Sequence, residues 1–411
     1  MTDLADIRLN SPETSKDAFA IYTGFRDAGG ILWSKRHKAW IVSRFDLARS
    51  VLTHQNASVE KLAPFARQAE DGLQQRAERM QQIMGHWPPF LDPPGHTRMR
   101  RVLQRSFAPR MLTQHEEPIR QITGDILDGI AGRGEIEFMA DFASELPARA
   151  IAYLYGLPQS DTPMLKRWSE GVAEFVLGSD KADRYGTSLR VMEEMREHFS
   201  ALVARYPGPG AQSAGPLMQQ LLDSRDEPDG LSDEEVVATL VLILFAAPET
   251  TANMILNGMF SLVCWPEELE KLMADPAGIP RAIEELIRYD GPVPVVVRVA
   301  GDEMQVGPAT IAKGDRIFIL LKSSNRDTAQ FDRPDALVLD RERSPHLGFG
   351  SGIHMCVGAP LARLEARIAF EEFLKRYETI TMPGQEIVWR HELLAHSPKA
   401  LHLTLAQRNS A

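Results

Sequence analysis

The chain has 411 residues, of which 44% are hydrophobic and 25% are charged, as in an ordinary globular protein. Its formal net charge of −10 disfavours nucleic acid as the main partner, because binding phosphates requires a basic face. A polar N-terminus without a long apolar run argues against a signal peptide or a membrane span. Cys264 and Cys356 are too few for a disulfide framework, so we expect a reducing, cytoplasmic location.

Most of the chain repeats apolar residues with a period of about 3.6, which predicts helices. In chain order these cover residues 96–107, 116–130, 146–157, 188–205, 232–263, 266–274, 279–289 and 359–377. Strand-like segments are short and cover 31–34, 39–42, 293–300, 304–306, 316–321 and 400–405. Residues 206–215 form a loop between helices and no long linker follows, so we predict one mainly helical domain over 1–411 with a minor β region.

The segment 232–263 is the longest predicted helix. It begins with a capping box, since Ser232 is followed three positions later by Glu235. Roughly thirty residues give about 45 Å of helix, long enough to cross a whole domain. Pro248 lies in its middle and lacks the N–H that the Leu244 carbonyl needs, so we expect the helix to open or kink there.

Two polar residues, Glu249 and Thr250, follow this proline. One face of the helix carries small and apolar side chains: Ile243, Ala246, Ala247, Thr250 and Met254. Such a face leaves room for a bulky ligand, and a carboxylate beside a hydroxyl can pass protons. A proline kink in a core helix, with Thr250 bonded to the carbonyl of the preceding turn, explains the same residues. The helix by itself leaves both interpretations open.

The segment FGSGIHMCVG, residues 349–358, places one cysteine among three glycines. A zinc site would need more Cys or His ligands than His354 and Cys356 provide. A nucleophilic cysteine could use His354 as its base. Thiolate ligation of a haem iron and a buried structural cysteine are the remaining interpretations. The loop alone does not decide between them.

The haem interpretation accounts for most features of this loop. Gly350, Gly352 and Gly358 remove side-chain bulk where a backbone would approach a wide, flat ring. Pro360 suits the first turn of the next helix, so Cys356 lies close to a helix N-terminus. The helix dipole and the free N–H groups there favour an anionic sulfur.

Residues 349–358 resemble the F-x-x-G-x-[HR]-x-C-x-G signature of the cytochrome P450 superfamily. The resemblance implies that Cys356 is the proximal thiolate ligand of a haem b iron. It also implies a mainly α, triangular single domain with a long central helix over the haem. The length of the chain makes it similar to the soluble bacterial members.

Further motifs occur in the order typical of the family. Glu285 and Arg288 match its E-x-x-R pair, which braces the haem side of the fold, although the usual sequence around the third member of this brace is replaced at 334–337. The segment 92–100 matches D-P-P-x-H-x-x-x-R. The resemblance implies that the haem propionates bind His96, Arg100, Arg298 and His354, and that the ring contacts Phe349, Gly350, Gly358 and Ala246.

The central helix matches [AG]-G-x-[DE]-T-[TS] at residues 246–251. By this resemblance Glu249 and Thr250 are the acid–alcohol pair that delivers protons during O2 activation. Ala247 stands where the family pattern has glycine, and its methyl group would narrow the oxygen groove. Pro248 would compensate by opening the same turn.

The resemblance implies a monooxygenase that inserts one atom of O2 into a hydrophobic small molecule, for example by hydroxylation. Electrons would come from NAD(P)H through a separate ferredoxin and its reductase, with the enzyme a monomer. The substrate pocket implied by the family positions is lined by Met84, Trp87, Phe90, Phe175, Ile243, Ala246, Ala247, Val293, Val295, Val296, Leu393 and Leu394. Candidate arginines for docking an acidic ferredoxin are Arg100, Arg101, Arg105, Arg110 and Arg363.

Two alternatives remain, and the second belongs to a different functional class. One is a haem-thiolate peroxygenase driven by hydrogen peroxide, which would not need the proton delivery of Glu249 and Thr250. The other is an inactive relative that serves as a binding module for a carrier-bound substrate. The retained Cys356 disfavours the second alternative.

Overall fold

The structure is a computed structural model that describes residues 3–60, 62, 74–177, 183–206, 214–342 and 345–408. Residues 207–213 of the loop expected at 206–215 lie outside this set. The helices, in chain order, are α1 Pro12–Lys16, α2 Ala18–Asp27, α3 Phe45–Thr53, α4 Gln74–Met84, α5 Gly95–Ser106, α6 Pro109–Leu112, α7 Glu116–Gly129, α8 Glu145–Tyr155, α9 Thr162–Val176, α10 Arg184–Ala204, α11 Pro216–Asp223, α12 Asp233–Cys264, α13 Pro266–Ala274, α14 Ile279–Asp290, α15 Leu321–Ser324 and α16 Ala359–Arg376.

The strands are β1 Ile31–Ser34, β2 Ala39–Val42, β3 Ala57–Ser58, β4 Glu135–Glu137, β5 Val295–Ala300, β6 Met304–Val306, β7 Ala309–Ile311, β8 Arg316–Leu320, β9 Tyr377–Thr381 and β10 His402–Gln407. They form a five-stranded sheet in the order β1-β2-β8-β5-β3, a three-stranded sheet β4-β10-β9 and a two-stranded β6-β7 pair. A mainly helical fold with a minor β part is therefore confirmed.

The N-terminal hairpin has the predicted bounds. β1 and β2 pair antiparallel with Ile31 opposite Val42, around the turn of residues 35–38. β2 then pairs in parallel with β8, so that Val42 lies opposite Ile319. The sheet buries Val42, Ile317 and Ile319 in a hydrophobic cluster with side chains of α3. This burial supplies most of the driving force for such short strands.

Contacts divide the chain into two compact units. The first comprises residues 1–57, 115–146 and 250–411. It contains the sheets as well as helices α7 and α13–α16. The second comprises residues 58–114 and 147–249, and its described residues are mainly helical. Within it α9 and α10 pack closely, since a side chain at Gly171 would lie 2.7 Å from Val191 Cγ2. That the whole chain forms one domain stays a prediction.

The long helix α12 runs for 32 residues, and the boundary between the units falls inside it. Its capping box is confirmed, because Glu235 Oε2 accepts from the N–H of Ser232 at 2.9 Å and Ser232 Oγ accepts from the N–H of Glu235 at 3.3 Å. By length and composition α12 would be able to cross a membrane, with a mean hydropathy of 1.5 over its best 18-residue window. That window is 78% buried in the protein, as expected for a core helix.

Candidate active site

The cysteine loop, residues 349–358, is closed by its own backbone. The N–H of Cys356 donates to the carbonyl of Phe349 at 2.8 Å, and the N–H of Met355 donates to the carbonyl of Gly352 at 3.1 Å. Gly350 and Gly352 have φ values of +75° and +73°, which residues with a side chain rarely adopt. The glycines thus let the chain turn back so that Cys356 returns to the level of Phe349.

Close packing is a second structural reason for glycine at position 352. A Cβ atom at this position would lie 2.6 Å from the carbonyl oxygen of Leu52, near the end of α3. By contrast, a Cβ atom at Gly358 would be 3.9 Å from Cys356 Sγ, an ordinary van der Waals distance. The loop is therefore seated on α3 through Gly352, whereas sequence reasoning assigned all three glycines to a ligand.

The side chain of Cys356 is exposed, and α16 begins three residues later at Ala359 with Pro360 in its first turn. Backbone N–H groups at a helix start stabilise an anionic sulfur. One accessible sulfur in a loop closed by backbone hydrogen bonds fits the single protein ligand that a haem iron needs on one side. The residues present therefore fit the cofactor inferred from the sequence. In the described part of the chain, no three His, Cys, Asp or Glu side chains lie close enough together to hold a metal ion.

An ion pair packs against Phe349, the aromatic residue of this loop. Arg363 of α16 donates to both carboxylate oxygens of Glu284 in α14, at 2.6 and 2.9 Å. Its guanidinium carbon lies 4.5 Å from the ring centre of Phe349. Burial would raise the pKa of Glu284, but hydrogen bonds from His346 and Arg363 outweigh it and lower the pKa to about 2. Glu284 is thus ionised throughout the physiological range and holds Arg363 over Phe349.

The brace predicted at Glu285 and Arg288 is present and buried. Arg288 donates to the two oxygens of Glu285 at 2.7 Å each, and both side chains are at most 1% exposed. Arg341 donates from Nε to Glu285 Oε2 at 3.1 Å. Arg341 is therefore the third member, which the sequence left unassigned because the usual motif is replaced in the preceding stretch.

The same brace holds that divergent stretch through backbone atoms. Arg288 donates to the carbonyls of Pro334 at 2.9 Å and Ala336 at 3.1 Å. The N–H of Val338 donates to Glu285 Oε1 at 3.1 Å. Because these contacts use the main chain, the side chains at 334–337 are free to differ from the family pattern.

The predicted proton-handling residues lie in the middle of α12. The helix continues through Pro248, whose missing N–H removes only one helical hydrogen bond. Glu249 is 9% exposed, and Thr250 is half-buried. Ala246 and Ala247 are also half-buried, while Ile243 and Met254 on the same face are buried. The most accessible part of this face therefore coincides with its smallest side chains.

His96 and Arg100 lie one turn apart on α5. Burial, and then the positive charge of Arg100, lower the pKa of His96, which favours a neutral imidazole. Arg98, Arg101 and Arg105 lie on the opposite face of this helix, where they pair with residues of the 227–235 segment. The two sets of cationic side chains are thus separated, and His96 and Arg100 together can meet one carboxylate.

The other two predicted propionate ligands belong to the first unit. Arg298 lies on β5, is 7% exposed and donates to the carbonyl of Val297 at 3.0 Å. His354 is half-buried in a 3₁₀ turn of the cysteine loop, two residues before Cys356. The predicted propionate set is therefore divided between the units, with His96 and Arg100 in the second.

The predicted pocket residues of the second unit include an aromatic stack. The ring of Trp87 stacks with that of Phe90, at 6.1 Å between centroids, and with that of Phe245, at 5.9 Å. Trp87 is fully buried, and its indole N–H has no hydrogen-bond partner in the described part of the chain. Phe245 was missed by sequence reasoning, which had no signal to separate it from core positions of α12. Phe175 instead pairs with Tyr185 at 5.3 Å, and Met84 and Ile243 are buried.

The pocket residues predicted in the first unit fall into two hydrophobic clusters. Val295 is buried in one cluster, with Leu393 and Leu394 packed against its edge. Val293 and Val296 pack against the other cluster, which contains side chains of α3. Alternate residues of β5 thus face different clusters, as expected for a strand.

Three of the five arginines predicted to dock a ferredoxin form ion pairs within the chain: Arg101 with Asp229, Arg105 with Glu227, and Arg363 with Glu284. Arg110 is exposed. Paired arginines offer a partner less free positive charge than the sequence suggested. Internal pairing of this kind cannot be seen in the spacing of the residues.

Comparison with known proteins gives consistent similarities. A family profile described as Cytochrome P450 matches residues 279–404. Cytochrome P450 CYP107DY1 of Priestia megaterium is 32% identical over 364 residues, covering 87% of each chain. The Biotin biosynthesis cytochrome P450 of Bacillus subtilis is 30% identical over 388 residues, covering 93% of this chain and 94% of the relative. The crystal structure of P450BioI in complex with hexadec-9Z-enoic acid ligated Acyl Carrier Protein superposes with a TM-score of 0.86 at 26% identity, covering 96% of this chain and 100% of that one.

Proposed function

This chain belongs to the cytochrome P450 family, and on that premise we propose that it hydroxylates a hydrophobic small molecule with electrons from a separate ferredoxin. As a P450 monooxygenase it is an oxidoreductase that uses haem b iron and O2, with electrons derived from NAD(P)H through partner proteins. The observation that carries the proposal is the exposed thiol of Cys356, held in a closed loop at the start of α16.

In this proposal Cys356 is the iron ligand. The N–H groups at the start of α16 keep its sulfur anionic, and the hydrogen bond to Phe349 fixes the loop that carries it. His96, Arg100, Arg298 and His354 are the residues that would hold the propionates of the haem. When bound, the haem supplies the iron that activates O2 for insertion into a C–H bond.

Glu249 and Thr250 are the proposed proton-handling residues. Cleaving O2 consumes two protons, which must be held near the reacting oxygen without flooding the site with water. A carboxylate that is 9% exposed can take a proton from solvent, and the adjacent hydroxyl can both accept and donate one. The half-buried Ala246 and Ala247 leave room beside them.

The proposed substrate is apolar. The pocket residues inferred from the family positions are aromatic or aliphatic in both units, so desolvation of the substrate provides most of the binding free energy. A structural relative was crystallised with an acyl chain on a carrier protein, which supports including carrier-bound acyl chains in a substrate screen.

Spectroscopy tests the proposal first. The purified protein should carry haem and show, when reduced under carbon monoxide, the red-shifted Soret band of a thiolate-ligated iron. A titration of the spin state against terpenoid, aromatic, polyketide-like and fatty compounds, and against carrier-bound acyl chains, then identifies the substrate. Turnover with NADPH, ferredoxin and reductase should exceed turnover with hydrogen peroxide alone, whereas the reverse result would favour the peroxygenase alternative.

A further inference from the structure

Three ionisable side chains outside the proposed catalytic set are buried together in the first unit. Asp290 is the last residue of α14, Lys322 lies in α15, and His396 precedes β10; each is at most 4% exposed. Lys322 Nζ forms an ion pair with Asp290 and lies 2.5 Å from His396 Nδ1. On the other side of the ring, His396 Nε2 is 3.0 Å from the carbonyl oxygen of Ser15.

The chemistry of the partners fixes the protons of this cluster. An ammonium group has three N–H donors and no acceptor, so His396 Nδ1 must accept from Lys322. The Ser15 carbonyl only accepts, so His396 Nε2 carries the proton and donates. The imidazole is therefore a neutral bridge between a buried cation and a backbone carbonyl.

Stability alone does not explain this cluster. Removing two charges from water carries a large desolvation penalty, and apolar replacements of buried ion pairs are often neutral or stabilising. The flat face of His396 already packs on Trp389, with ring centres 4.5 Å apart and planes 19° apart. An aromatic residue would keep that contact. We therefore look for the role of the hydrogen bonds of His396 in the positions of the chain segments that they join.

The bonds around the cluster join two loops to α12. The N–H of His396 donates to the carbonyl of Pro292 at 3.0 Å. Asn257 Nδ2 donates to the carbonyls of Asp290 at 3.0 Å and His396 at 2.9 Å. The chain around 290–292 and the chain at 396 are therefore held at one distance from each other and from the helix.

The attachment lies on the same helix face as a proposed catalytic residue. Ser397 Oγ donates to Asn253 Oδ1 at 2.9 Å, one turn before Asn257. Asn253 and Asn257 follow Thr250 by three and seven residues, and such residues share a face of an α-helix. The loops are thus tied to the part of α12 that also carries Thr250.

Each loop continues into a predicted pocket segment: 293–296 follows Pro292, and 393–394 precedes His396. We propose that Lys322 and His396 are positioning residues that set the spacing of these two segments and thereby select bulky apolar ligands. The proposal rests on the proposed function, because it takes both segments to line the substrate pocket. Neither residue touches the substrate.

Two azole ligands test this in the haem-loaded full chain. Imidazole needs only the iron, whereas 4-phenylimidazole also needs the apolar walls. His396→Phe keeps the ring on Trp389 but removes both hydrogen bonds of the imidazole. In spectral titrations, the affinity for 4-phenylimidazole should therefore fall about tenfold relative to the affinity for imidazole. His396→Gln retains one acceptor and one donor and should restore the ratio to within about threefold of the wild-type value. The matched control is His402→Phe, the same change at an exposed position of β10, which should leave the ratio unchanged.

Backbone hydrogen exchange provides a readout that does not need the cofactor. His396→Phe should speed exchange in 293–296 and 393–397 while other segments keep their rates. An unchanged azole ratio with unchanged exchange would overturn the proposal. If His396→Phe does not fold, Lys322→Met, which removes the donor to His396 Nδ1, provides the same two readouts, and the same null result overturns it. Failure of the wild-type chain to bind haem would instead refute the proposed function, and exchange would still test the positioning role.

Discussion

The cysteine loop and the aromatic stack around Trp87 are held in contrasting ways. The loop is fixed by directional contacts: a hydrogen bond from the Cys356 N–H to the Phe349 carbonyl, glycines in left-handed conformations, and Arg363 held over Phe349 by Glu284. The stack is fixed by ring packing, and its indole N–H has no partner in the described part of the chain. An iron ligand requires one position, whereas a wall for an apolar substrate requires only a shape.

The largest expected effect is on the buried ion pair of Glu285 and Arg288, which belongs to the region fixed by directional contacts. Glu285→Gln removes the negative charge opposite Arg288, which is 0% exposed and would remain buried without its counterion. We expect the free energy of unfolding to fall by about 3–5 kcal/mol, measured by urea denaturation. The control Glu116→Gln removes a carboxylate from a partly exposed ion-pair network and should cost less than about 1 kcal/mol. Equal losses in the two variants would contradict the importance of burial.

The second prediction concerns pH and the buried histidine. Burial, followed by the positive charge of Lys322, lowers the pKa of His396 from 6.5 to about 4, against the opposing effects of Asp290 and Ser15; Arg326 lowers it further. Between these values the unfolded chain binds a proton that the folded chain does not, so this group makes the free energy of unfolding fall as the pH is lowered from 6.5 to 4. The contribution is at most about 3 kcal/mol.

A variant isolates this contribution from other groups. Burial raises the pKa of Glu365 to about 8, which favours folding at low pH and partly offsets His396 over the same range. The slope of stability against pH should therefore be compared between the wild type and His396→Gln. As the pH is lowered from 6.5 to 4, the free energy of unfolding should fall less, or rise more, in the variant than in the wild type, and an unchanged slope would contradict the assignment.

The third prediction separates backbone strain from close packing in the cysteine loop. Gly352→Ala combines a φ of +73° with a Cβ atom 2.6 Å from the Leu52 carbonyl, and should cost about 1–3 kcal/mol in thermal denaturation. Gly314 has a φ of +89° but open space around its missing side chain. Gly314→Ala should therefore cost less, and an equal cost would show that the contact with α3 is unimportant.

The smallest effect is expected from a substitution of Pro248, which lies in the apolar middle of α12. Pro248→Ala restores the helical N–H and should slow turnover or divert electrons to hydrogen peroxide by a few-fold, about 1 kcal/mol or less in the barrier. The ratio of peroxide formed to NADPH consumed measures this effect. Pro266→Ala, at the first position of α13, is the control. An unchanged ratio of peroxide formed to NADPH consumed in Pro248→Ala would contradict the hypothesis that Pro248 compensates for the methyl group of Ala247.

Sequence reasoning succeeded where chemistry restricts residue type and spacing. The family resemblance carried by residues 349–358, the Glu285–Arg288 ion pair and the capping box of α12 all depend on contacts over a few residues or on a motif that tolerates little change. The same holds for the hairpin of β1 and β2, because two short apolar segments and the polar turn between them lie within a dozen residues.

It failed where partners come from distant segments. Arg341 reaches Glu285 across 56 residues, and Glu284 reaches Arg363 across 79. The cluster of Asp290, Lys322 and His396 likewise has no local signal. Helices α1–α4, α6, α9, α11 and α15 and strands β3, β4, β7 and β9 were not predicted, since short or weakly periodic segments acquire their structure from tertiary packing.

The central claim is that the sulfur of Cys356 binds the haem iron, and the reduced carbon monoxide spectrum tests it most directly. The wild-type protein should show the red-shifted Soret band of thiolate ligation, and Cys356→His should retain haem but lose that shift. A wild-type spectrum without the shift, or a shifted band that survives in Cys356→His, would contradict the account.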